Sequence, residues 1–305
     1  MDKTNQIIRA SWVAVGGNAF LAILKIAVGI FSGSLAVLGD GIDTFTDIIT
    51  SLITLITARI IAKQPDKKFS YGYMRADTIA AKVLSFVILF AGFQLAISSI
   101  EQIFNAEKGF MPSPIAIYVT ILSIAGKFLM SWYLYRKGKK LNSLMLRANA
   151  KNMKNDVLIS FSVLAGLFFV YILEIPILDP ITALVVSLFI LKTGFEIFKE
   201  TNIELMDGVK DNAVYTQLFE AIKECQNAFN PHRVRIRQMG DLYVISLDLE
   251  VDGNISVYES HKISRAVEEA IYRKIENVYD IRIHIEPKGN VEEEKFGLVE
   301  KDFCW

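Results

Sequence analysis

Six stretches of this chain are each apolar over the ~20 residues that span a bilayer, and nothing else in the sequence constrains its fold as strongly. They cover roughly 7–31, 35–62, 78–104, 114–135, 144–173 and 180–198. In hydrocarbon every backbone polar group must be satisfied within the segment, so each stretch is expected to be a helix. The connections between them are short: 32–34, 64–75, 105–113, 136–142 and 174–179. The second carries Lys67, Lys68 and Arg75, and the fourth Arg136, Lys137, Lys139 and Lys140. The first has no charge, the third one Lys beside one Glu, and the fifth only acids. Positive loops stay on the cytoplasmic side, so both termini are expected there, in a multi-pass protein of the cytoplasmic (inner) membrane. Lys3 and Arg9 lead into a long apolar stretch with no small-residue cleavage site, and the first helix is expected to stay attached.

Charge divides the chain. Residues 1–200 carry 20 Lys and Arg against 13 Asp and Glu, and residues 201–305 carry 13 against 20. With 52% hydrophobic residues and a mean hydropathy of +0.35, this describes a membrane domain followed by an acidic soluble one. It excludes a nucleic-acid binder, a collagen-like or disordered chain, and a secreted disulfide scaffold. Cys225 and Cys304 form no pair motif and are read as bystanders.

After Asp207 the periodicity changes. Residues 211–227 read as a helix, 234–238 and 242–251 as strands around the turn Met239-Gly240-Asp241, 256–275 as an amphipathic helix and 280–287 as a strand. The expected fold is therefore an α-helical six-helix membrane bundle (1–206) with a C-terminal α+β cytosolic domain of order αββαβ (207–290). Residues 291–305 are a charged tail, left unstructured.

Ionisable groups inside the bilayer mark pathways or sites. On the second helix Asp40, Asp43 and Asp47 are spaced by three and four, so their carboxylates share a face. Three like charges on one face repel, and a bound cation resolves the repulsion. The fifth helix repeats the spacing with Asn149, Asn152 and Asp156, so two half-sites can close on one ion. Lys25, Lys82, Lys127 and Lys192 are read as snorkelling towards an interface, with Lys82 and Lys127 the least easily explained that way.

Asp43, Asp47, Asn152 and Asp156 supply only oxygen, and no Cys or His occurs before residue 201. All-oxygen sets suit Mn²⁺, Mg²⁺ or Ca²⁺, whereas Zn²⁺ favours imidazole and thiolate. Mn²⁺ therefore leads, Fe²⁺ follows and Zn²⁺ is third. Proton uptake on metal release would give counter-transport. All three histidines, His232, His261 and His284, fall in the soluble domain. His284 and Glu286 sit two apart on one strand face and Asp248 on the polar face of another, a pattern consistent with a second metal site.

At these residues the sequence resembles the cation diffusion facilitator family of divalent-metal/proton antiporters, over about residues 7–290. Asp43-x-x-x-Asp47 and Asn152-x-x-x-Asp156 match its paired transport motifs, and Gln64-Pro65-Asp66 through Tyr71-Gly72 to Arg75-Ala76-Asp77 is similar to its second cytoplasmic loop. The resemblance implies a homodimer exporting metal by alternating access, and no enzyme. It also implies a ferredoxin-like cytosolic domain binding Zn²⁺ or Mn²⁺ at His232, Asp248, His261, His284 and Glu286. Arg75 and Asp207 fit the family's charge interlock at the domain junction. Asn152 stands where zinc exporters carry His, which favours manganese. A loop metal site would use Asp66, but Phe69 and Tyr73 occupy its His positions, and that site is expected to be absent or very weak.

Two other functions share the intramembrane acids. An intramembrane aspartyl protease needs G-x-G-D, and Val37-Leu38-Gly39-Asp40 lacks the first glycine. A passive cation channel would ignore a pH gradient.

Overall fold

A computed structural model of the chain describes residues 3–105, 111–141, 144–240, 242–290 and 297–299. Parts of the third and fourth connections, Asp241 of the expected turn, most of the tail and Cys304 lie outside the described residues. The chain divides into two compact units, Met1–Arg59 with Ala80–Phe198, and Ile60–Ile79 with Lys199–Trp305.

The long helices are α1 (Lys3–Ser32), α2 (Leu35–Ile61), α3 (Ala76–Phe104), α4 (Ile115–Lys140), α5 (Leu144–Leu173) and α6 (Leu178–Leu205). All of these but α2 contain a span long and apolar enough to cross a membrane. The 27-residue α2 carries three acids within its first half. One buried core joins α2, α3, α5 and α6 through Val37, Leu84, Ile88, Leu167, Val186 and Ile190. A second joins α1, α4 and α5 through Ala14, Leu134, Leu146 and Met153. The outward faces expose Phe20, Phe31, Phe90, Phe161 and Phe195, an apolar surface that suits lipid and not water.

Between α1 and α2 the chain reverses at Gly33, whose φ of 71° lies in the left-handed region. Buried Asp179, in the first turn of α6, secures the start of α2 by accepting from the Ser34 hydroxyl (2.6 Å) and the Leu35 N–H (2.8 Å). A carboxylate there also meets the positive end of the helix dipole.

The second unit contains α7 (Ala213–Lys223), β1 (Phe229–Met239), β2 (Leu242–Val251), α8 (Val257–Lys274) and β3 (Val278–Pro287), giving the αββαβ order. β1 and β2 pair antiparallel and β2 and β3 parallel. Leu218 and Ile222 of α7 and Val267 and Ile271 of α8 cover Ile236, Ile245, Leu247 and Leu249 of the sheet. α8 starts at a reciprocal cap: Ser256 Oγ accepts from the Glu259 N–H, and Glu259 accepts from the Ser256 N–H.

Two elements differ from the sequence reading. β1 begins at Phe229, ahead of the expected 234, because Asn230 and Arg233 take positive φ (43° and 47°) and bulge the strand. A bulge breaks the period-2 alternation by which strands are recognised. The tail is not wholly without structure: Leu298 exchanges backbone hydrogen bonds with Val234 (3.0 and 3.1 Å) and packs on the core. The loop before α3 and the end of α6 also pack with this unit. Arg75 pairs with Asp207, Glu204 accepts from Thr78 and from the Gly240 N–H, and the Arg237 guanidinium lies 4.7 Å from the Tyr71 ring centroid.

Candidate metal centres

The first centre lies among α2, α4 and α5. Asp43 and Asp47, one turn apart on α2, and Asp156 on α5 each offer a carboxylate oxygen, all within 4.8 Å of one another. Three oxygens at that spacing can contract around one small cation. Asp47 Oδ2 is buried and accepts no hydrogen bond, so its lone pairs are open to a cation. Asn152, one turn before Asp156 on α5, is exposed.

Asp40 does not join them. Its Oδ2 lies 2.8 Å from Lys25 Nζ, and its Oδ1 accepts from the Ser160 hydroxyl at 2.8 Å. Lys25 Nζ reaches Thr44 Oγ1 (3.3 Å) and Ser160 Oγ (3.1 Å) as well. The snorkelling expected for Lys25 and Lys127 is therefore wrong: both are fully buried. Lys127 Nζ lies 3.2 Å from Asp156 Oδ2 and 3.9 Å from Asp47 Oδ2. Apolar length alone could not reveal this, because a partner acid on another helix makes burial tolerable. Lys82 donates to the Phe198 carbonyl and sits 3.2 Å from that ring's centroid, whereas Lys192 is exposed beside Glu196.

The second centre is on the polar face of the sheet. Register sets His232, Asp248 and His284 side by side across β1, β2 and β3, with Glu250 and Glu286 paired two residues on. His232, Asp248 and Glu286 bring ligand atoms within 4.8 Å of one another. His232 Nε2 lies 3.5 Å from Glu286 Oε2, and its Nδ1 is 2.7 Å from the Asn230 carbonyl, fixing the ring. One imidazole and two carboxylates make a donor set that fits a divalent transition metal. His284 Nε2 is 3.5 Å from Glu286 Oε1, with its side chain 67% exposed. His261 stands exposed on α8 and is not in the cluster.

Sequence reasoning missed two neighbours of this centre. Arg233 Nη1 lies 2.8 Å from Asp248 Oδ2. Buried Glu250 accepts from Asn230 Nδ2 (2.6 Å) and the Gly289 N–H (3.1 Å). Those hydrogen bonds, Asn230's above all, hold its carboxyl below the usual glutamate range. Glu250 was legible from its register two residues after Asp248, while Arg233 sits in a bulge that no periodicity announces. In the loop, Asp66 accepts from the Tyr73 hydroxyl (2.6 Å) and from the Lys68 and Phe69 N–H groups (2.8 Å each). The Tyr73 bond is the main reason its carboxyl lies below the ordinary range.

Comparison with known proteins places these centres in context. Residues 11–206 match the cation efflux transmembrane domain, and residues 211–288 match the cation efflux protein cytoplasmic domain. The manganese efflux system protein MneS of Bacillus subtilis is 31% identical over 278 residues, covering 90% of this chain and 93% of that one. The magnetosome protein MamB of a Magnetospira species is 28% identical, covering 91% and 93%. Among solved structures, the metal-bound C-terminal domain of the CzcD transporter from Thermotoga maritima is 39% identical, covering 26% of this chain and 93% of its own, with a TM-score of 0.26. With a domain model matched to each of its two parts, the chain belongs to the cation efflux, or cation diffusion facilitator, family: a transporter of divalent cations and not an enzyme.

Proposed function

We propose that this protein exports Mn²⁺ from the cytoplasm in exchange for protons, by alternating access about Asp43, Asp47 and Asp156. The observation that carries the reading is the convergence of three carboxylates on the long helices α2 and α5, with no histidine or cysteine in the cluster among the described residues. Oxygen ligands favour Mn²⁺ over Zn²⁺, and a relative 31% identical is a manganese efflux protein. Asn152 supplies a fourth oxygen in the loaded state. Once the ion departs, the carboxylates face one another across a few ångströms, and protons relieve their repulsion. That exchange couples export to the proton gradient.

The protein works as a homodimer surrounded by lipid in the cytoplasmic membrane, with both termini cytoplasmic. Its cytosolic centre binds Mn²⁺ or Zn²⁺ through His232, Asp248 and Glu286, with His261 and His284 contributing across the dimer. When bound, that metal neutralises the carboxylates and ties the strands together. Arg75 and Asp207 act as the charge interlock. Flux of Mn²⁺, Fe²⁺ and Zn²⁺ into proteoliposomes under an imposed pH gradient tests the transport reading. Mn²⁺ moving fastest, with counter-movement of protons, is the expected result. Flux indifferent to the gradient would instead make the protein a channel.

A further inference from the structure

The membrane unit buries two lysines completely, Lys25 and Lys127, and holds them in different ways. Lys25 Nζ has Asp40, Thr44 and Ser160 within 3.3 Å, and Asp40 accepts from Ser160 in return. One acid and one base close on each other there at 2.8 Å, with two hydroxyls beside the ammonium. Lys127 reaches from α4 to lie 3.2 Å from Asp156 and 3.9 Å from Asp47, yet its Nζ makes no hydrogen bond, and neither does Asp47 Oδ2. Charge alone holds it. A desolvated ammonium needs compensating charge, and the three carboxylates, once deprotonated, leave the cluster with its one ammonium two charges short of neutral.

A divalent ion supplies those two charges, but it needs the Asp47 and Asp156 oxygens beside which the ammonium sits. We propose that Lys127 is a tethered competitor of the transported ion. Its ammonium occupies the empty site, yields the oxygens to an arriving divalent cation, and returns to them as that cation leaves. The tether sets metal affinity low enough for release. It also selects by charge: Na⁺ or K⁺ brings no more charge than the ammonium it must displace, whereas a divalent ion brings twice as much. This rests on the reading that Asp43, Asp47 and Asp156 hold the transported ion.

The test uses full-length protein in which His232→Ala and Glu286→Ala remove the cytosolic centre. Mn²⁺ binding is followed by calorimetry and export by proteoliposome flux. Lys127→Leu and Lys127→Gln should each bind Mn²⁺ about tenfold tighter or more, turn over more slowly and let Na⁺ compete, while Lys127→Arg stays close to the parent. Unchanged or weaker Mn²⁺ binding by both uncharged variants, with melting temperatures intact, overturns the competitor role while the transport site stands. If Asp47→Ala in the same background binds Mn²⁺ as well as its parent, the transport site itself is refuted, and the competitor role with it.

Discussion

Asp43 and Asp47 differ from Asp40 only by position on one helix face, yet the fold gives them different partners. Asp40 is neutralised by Lys25, whereas Asp43 and Asp47 face Asp156. Asp47→Ala or Asp156→Ala should therefore abolish Mn²⁺ flux, and Asn152→His should shift preference towards Zn²⁺ by adding the imidazole that zinc favours. Vesicles carrying Asn152→His with unchanged selectivity would falsify a ligand role for Asn152. In the cytosolic domain, Asn230 holds Glu250 ionised below its ordinary value of 4.5. A carboxyl with a depressed folded-state pKa adds stability above its unfolded pKa and loses it as pH falls through the folded one. Asn230→Ala should cost about 1 kcal/mol at pH 7. The difference from wild type should shrink once pH drops below 4.5 and level off below the depressed value at the pH-independent cost of alanine at a positive φ, as read from unfolding midpoints across pH.

At the scale of elements, small residues decide how near the helices come. A Cβ on Gly29 of α1 would stand 2.7 Å from the Leu38 backbone nitrogen of α2, and one on Gly41 would meet Ile26 at 2.9 Å. This close approach, built from small residues as in many membrane helix pairs, lets Lys25 reach Asp40. Gly29→Val should force the pair apart, cost about 1–3 kcal/mol, and lower both melting temperature and flux. At the start of α8, Ser256→Ala removes one half of the reciprocal cap. It should cost about 1 kcal/mol, measurable as a lower unfolding midpoint, with Mn²⁺ affinity at the transport site unchanged.

For the whole molecule, the Arg75–Asp207 pair joins residues 132 positions apart. Both side chains are partly exposed, 34% and 54%, and such a pair is worth at most about 1 kcal/mol. Its importance should therefore appear in transport more than in stability. Arg75→Asp and Asp207→Arg should each cut flux while moving the melting temperature little, and the double swap should recover a large part of the flux. Recovery absent from the double variant would separate these residues from any interlock.

Much of this protein was legible from its chain alone. Helix count and the split between a membrane and an acidic half follow from hydropathy and charge, which act locally and need no partner. So do the αββαβ order and the shared face of Asp43 and Asp47, since periodicity is itself a local property. Tertiary structure alone determined which acid meets which base, because Lys25 and Lys127 find their carboxylates on other helices and spacing along one helix carries no record of that. It likewise revealed the bulge that turns His232 and Arg233 towards Asp248 and Glu286, since a positive φ interrupts the very alternation from which a strand is read.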